Sequence, residues 1–94
     1  MSHYVAIIED AGPDRAVGIW FPDLPGCFSA GDTIDEALHS APEAVALYAE
    51  ALGNSRMPTP RPLNQLQKDS SFRSEAEGHL VALISVPELA EPAE

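Results

Sequence analysis

The sequence predicts an α+β domain with element order β-β-β-α-β, sheet order 3-2-1-4 and one long helix on one face. Three observations carry that prediction. An apolar, β-branched run near the start, Tyr4 to Glu9, is followed after a short turn by a second, Ala16 to Phe21, so the two form an antiparallel hairpin. Apolar residues from Ile34 to Leu52 recur at the spacing of a single helical stripe. A last apolar run, His79 to Val86, is too short for a core helix and ends at Pro87, which marks a buried strand.

Tyr4-Val5-Ala6-Ile7-Ile8 is apolar on both of its alternating faces, as a central strand covered on both sides would be. Asp10-Ala11-Gly12-Pro13-Asp14 is a turn by composition. Trp20, the largest apolar side chain of the second strand, is expected to anchor a sheet face. The stretch Trp20 to Glu36 forms the corner of the domain. Pro22 and Pro25 fix two φ angles, Gly26 supplies the freedom for a tight reversal, and Cys27 to Ala30 makes a third strand. Gly31-Asp32 ends it, and Thr33 with Glu36 has the form of a capping box opening the helix.

In that helix Ile34, Ala37, Leu38, Ala41, Val45, Tyr48 and Leu52 share one stripe, with Asp35 and Glu36 in the first turn, where negative charge suits the helix dipole. Gly53 is placed to stop it. Pro42 lacks an N–H and crowds the Leu38 carbonyl, so it is expected to kink one continuous helix rather than divide it. Met57 to Pro62 reads as an extended surface segment, Leu63 to Asp69 as a short helix, and Ser70 to Gly78 as a polar, mobile connection. Residues 1–87 thus make one domain. Residues 88–94 are an acidic tail expected to be disordered, with no C-terminal DNA-binding domain.

With the long helix as a right-handed crossover, the last strand is expected beside the first and parallel to it. The other sheet face would then lie open. Tyr4, Ala6, Ile8, Val17, Ile19 and Phe21 carry more apolar surface than one helix is expected to hide, which points to a homo-oligomer.

The 94 residues carry fifteen acids against five basic residues, a net charge of −10, and the basic ones are scattered. Binding to nucleic acid draws largely on clustered cations that neutralise phosphates, so direct nucleic-acid binding is not expected. The field favours a basic protein partner. The longest apolar run, Leu80 to Ile84, cannot span a bilayer. The lone Cys27 and the absence of a secretory pattern after Met1 fit the cytoplasm.

The expected strand order is shared with ribonuclease-H-like nucleases, whose two-metal chemistry requires converging carboxylates. Here the first strand has acids only at its end, Glu9 and Asp10, and Leu80 to Val86 has none. Cys27 could act as a nucleophile with His39 or His79, but a single cysteine in an apolar strand is more often a packing residue. The three histidines lack zinc-site spacing, and Gly12, Gly18 and Gly26 form no phosphate loop. No catalytic, metal or cofactor site is expected.

Phe21-Pro-Asp-Leu-Pro-Gly-Cys27, followed by Ser29-Ala-Gly-Asp-Thr-Ile-Asp-Glu-Ala37 and a long helix, resembles the HicB family of antitoxins, and the resemblance runs from Tyr4 to Val86. It implies a partial ribonuclease-H-like fold without nuclease activity, a small basic messenger-RNA-cleaving HicA-like toxin as partner, and assembly into dimers or tetramers. Many members also carry a C-terminal DNA-binding domain, for which the eight residues after Val86 are too few and too acidic. The toxin-binding residues are not marked by a motif. Charge alone selects Asp23, Asp32, Asp35 and Glu36. The alternative is an orphan HicB-like oligomer that regulates or scaffolds without a toxin.

Overall fold

A computed structural model describes residues 2–53 and 57–86. Strands β1 (Ser2–Glu9), β2 (Val17–Phe21) and β3 (Leu24–Gly31) form a meander, helix α1 (Ile34–Leu52) follows, and the short helices α2 (Leu63–Leu66) and α3 (Ser70–Ala76) precede strand β4 (Leu80–Val86). The sheet order is β3-β2-β1-β4, as the sequence predicts, with α1 on one face. The acidic tail expected at 88–94 lies outside the described residues.

Every neighbouring strand pair is antiparallel, and this corrects the expected direction of β4. Ser2 pairs with Val86 and Ile8 with Leu80 through an unbroken register. The physical reason is the segment expected to be a mobile connection. Residues 70–76 are helical, begun by the Asp69 carboxylate accepting from the Ser71 amide at 2.8 Å. Together α2 and α3 carry the chain back along the second sheet face, so β4 enters from the end at which β1 finishes.

The two sheet faces hold separate cores. Tyr4, Ala6, Ile8, Val17, Ile19, Phe21, Leu24, Cys27 and Ile84 pack under α1 with Ala37, Ala41 and Val45. The six sheet residues expected to exceed the cover of one helix are each no more than 3% exposed, so the apolar surplus that suggested an oligomer is absent from that face. On the second face Val5 and Ile7 are sealed by Leu66 and Phe72, with Trp20, Leu63 and Ala76 around them. That face is covered within the chain over β1, while Val81 and Leu83 of β4 on the same face remain 39% and 57% exposed. At ~25 cal/mol per Å² of apolar surface, buried side chains of this size each contribute roughly 1.5–3 kcal/mol.

The corner also differs from expectation. The reversal is a two-residue turn at Pro22-Asp23, and β3 begins at Leu24. Phe21 pairs with Leu24 while Trp20 pairs with Phe28, so Pro25, Gly26 and Cys27 form a bulge inside β3. Gly26, at φ 86°, serves that bulge and not the turn. Helix α1 runs as one element through Pro42, and Gly53 donates its amide to the Glu50 carbonyl at 3.1 Å as its stop.

Candidate functional site

Three of the four acids selected by charge meet at the start of α1. Thr33 Oγ1 accepts the Glu36 amide at 3.1 Å, the first half of the expected capping box. The reciprocal bond goes one residue further out: Glu36 Oε1 accepts the Asp32 amide at 2.9 Å. This tight wrap depends on Gly31, because a Cβ there would lie 2.6 Å from the Ala37 nitrogen and 2.8 Å from Glu36 Cβ. The result holds Asp32, Asp35 and Glu36 exposed on one rim. Beside it Ala30, Gly31, Asp35, Glu36, His39 and Ser40 line an open depression. Its geometry suits a flat protein contact better than an enclosed small-molecule site.

Asp23 is elsewhere. It sits in the β2–β3 turn, separated from the rim by the eight residues of β3, a span of roughly 20–25 Å at a strand's rise. Its side chain is only 8% exposed and is engaged by Arg61: the Arg61 amide donates to Oδ2 at 2.8 Å, Nε to Oδ1 at 2.7 Å, and Nη2 lies 2.7 Å from Oδ1. Arg61 Nη1 reaches Asp69 Oδ2 at 3.1 Å. The Asp23 and Asp69 carboxylates raise the Arg61 pKa above its ordinary value, and Arg61 with the Ser71 amide lowers that of Asp69. Tyr4 adds a hydrogen bond from its hydroxyl to the Pro58 carbonyl. This fastening ties segment 57–62 across the end of the sheet and sets where α2 begins. The sequence reading missed it, although Arg61 between Pro60 and Pro62, in a chain so short of cations, is a visible signal.

The residues weighed for catalysis do not form a site. Cys27 is buried, its thiol donates to the Ala44 carbonyl at 3.6 Å, and burial raises its pKa, the reverse of what an activated thiolate requires. His39 is exposed on α1, whereas His79 stands edge-on to Trp20 with ring centroids 5.6 Å apart. Trp20 anchors the second face as expected and donates Nε1–H to Glu75 Oε1 at 2.9 Å. Among the described residues no cluster of histidine, cysteine and acids could hold a metal, and no helix is long and apolar enough to cross a membrane.

The fold and its surface define a small acidic α+β domain whose distinctive feature is a carboxylate rim at a capped helix start. A family model described as HicB_like antitoxin of bacterial toxin-antitoxin system matches residues 4–92, and the chain belongs to that family. An uncharacterized 14.9 kDa protein of Haemophilus phage HP1 is 38% identical over 72 residues, covering 74% of this chain and 53% of the phage protein. The chain therefore spans about half the length of that relative. A UPF0150 protein of Synechocystis is 45% identical over 59 residues, 63% of this chain and 73% of the relative. The crystal structure of the Burkholderia pseudomallei antitoxin HicB superposes with a TM-score of 0.78 at 26% identity, over all of this chain and 72% of that one. A chain of the HicA3 and HicB3 toxin-antitoxin complex does so at 0.70 and 27%, over 90% of this chain and 98% of that one.

Proposed function

We propose that the chain is the antitoxin of a toxin–antitoxin pair and neutralises a small basic HicA-like mRNA-cleaving toxin by docking through the rim of Asp32, Asp35 and Glu36. The observation that carries this reading is the likeness to a chain of the HicA3 and HicB3 toxin-antitoxin complex. The net charge of −10 supports it, since a field of that sign steers a basic partner into encounter. So does the rim itself, whose carboxylates are held exposed by backbone bonds and need little ordering to bind. Asp23, with its carboxylate taken up by Arg61, shapes the end of the sheet in this reading and does not touch the toxin.

The proposed mechanism is stoichiometric occlusion in the cytoplasm, without catalysis by this chain and without contact to nucleic acid. The test is co-expression with a growth-inhibiting, small basic HicA-like toxin. Wild-type chain restores growth, and the triple variant Asp32→Asn, Asp35→Asn, Glu36→Gln, which retains the capping geometry, restores it poorly. No rescue by the wild type sinks the antitoxin reading. Equal rescue by the triple variant sinks the rim as the docking site.

A further inference from the structure

The two faces of the sheet are covered unequally. Over the first lies one continuous helix, whose Ala37, Ala41 and Val45 enter the main core with Ile34, Leu38 and Tyr48 packed beside them. Over the second lies the segment 59–78, in which Leu66 and Phe72 alone are buried. They seat on Val5 and Ile7, which form a cluster separate from the main core. Apolar stabilisation scales with buried area, so the second cover is held less firmly than α1.

The segment is also bonded to itself. Arg61 Nη1 reaches Asp69 at 3.1 Å, Arg73 Nη1 donates to the Gln67 carbonyl at 3.0 Å, and the Asp69 amide donates to the Leu66 carbonyl at 2.8 Å. These contacts join α2 and α3 to each other without using the sheet. Arg61 on Asp23 and Glu75 on the Trp20 indole N–H tie the segment to the body. Each end has a fixed neighbour. Met57 packs on the main core and the Pro58 carbonyl accepts the Tyr4 hydroxyl. At the other end Gly78, at φ 78°, joins the segment to β4, which keeps its own ladder with β1.

We infer that residues 59–78 are a lid that lifts as one body while the sheet and α1 stay folded. Lifting parts Arg61 from Asp23 and Glu75 from Trp20, unseats Leu66 and Phe72, and leaves the main core intact. Proteins open in such cooperative units at free energies below that of global unfolding. What the lid bares is Val5 and Ile7, beside their partly exposed β4 neighbours Leu83 and Val81. An apolar strip across β1 and β4 is thereby gated by an arginine clasp. The inference uses neither the carboxylate rim nor a toxin, so it stands apart from the antitoxin reading.

Thiol labelling under native conditions, read by peptide mass mapping, tests it. Each rate is divided by that of the same thiol in the urea-unfolded chain. Cys27 lies in the main core and reports its opening. Val5→Cys places a second thiol under the lid, and Ile7→Cys does so if Val5→Cys fails to fold. The lid thiol is expected to label about 100-fold or more faster than Cys27, with a shallower dependence on urea because less surface is exposed. Val17→Ala weakens the main core and should speed Cys27 by roughly tenfold while leaving the lid thiol unchanged. Arg61→Ala should speed both thiols by the same factor, about tenfold or more, because both openings break the clasp. Equal rates at the two thiols, or an equal response of both to Val17→Ala, overturn the inference. So does fast labelling of the lid thiol that is indifferent to urea or to Arg61→Ala, which marks a local fluctuation of β1.

Discussion

Replacing Asp23 by alanine separates a structural role from a binding one. The substitution removes the acceptor of three Arg61 contacts at 2.7–2.8 Å. Hydrogen bonds to a charged group contribute about 1.5–3 kcal/mol to stability, and a bidentate arginine pair lies in the upper part of that range. Two features reduce the loss. The Arg61 side chain is 34% exposed, so water replaces part of the interaction, and Nη1 keeps Asp69. A net cost of about 2 kcal/mol follows, which in a domain of this size lowers the melting temperature by roughly 8–16 °C. Urea denaturation of the wild type, Asp23→Ala, Arg61→Ala and the double variant measures both the loss and the coupling. The coupling should be about 1 kcal/mol or more. A loss below about 0.5 kcal/mol, or additive single effects, refutes the fastening. Toxin affinity of the folded Asp23→Ala protein is expected to be unchanged, in contrast to changes at the rim.

Three further outcomes are expected. Gly31→Ala drives a Cβ into backbone atoms of Glu36 and Ala37 at 2.6–2.9 Å and should cost about 2 kcal/mol or more in urea denaturation, although φ at this glycine is unremarkable. Phe72→Ala uncovers Val5 and Ile7 and should cost about 3 kcal/mol, read as a lowered melting temperature; an effect below 1 kcal/mol would mean that α3 does not seal that face. In acid, Asp69 behaves as a group whose folded pKa is depressed. Its contribution is present above the unfolded value of about 3.9 and is lost as pH falls through the lower folded value, so Asp69→Asn should flatten the stability profile below about pH 4.

The legible parts of the sequence were those with local signals. The α1 stripe, its Thr33 cap and its Gly53 stop are all set within one helix, and the helix stands where they place it. The direction of β4 was hidden because α3 buries a single large apolar residue, Phe72, among serines and charges, and one residue gives no period to read. The turn at the corner was misplaced because two proline-containing dipeptides compete there, and the glycine that signals a reversal also suits a bulge. For the candidate site, charge selected Asp32, Asp35 and Glu36, which the structure brings together on one rim. It could not distinguish them from Asp23, whose partner Arg61 lies 38 residues away in sequence.

The most direct test of the antitoxin reading is titration calorimetry of the purified chain against a purified small basic HicA-like toxin, at two salt concentrations. A saturable complex is expected, weaker at the higher salt and weakened about tenfold or more by the Asp32→Asn, Asp35→Asn, Glu36→Gln variant. No detectable heat or co-elution at either salt concentration would contradict it.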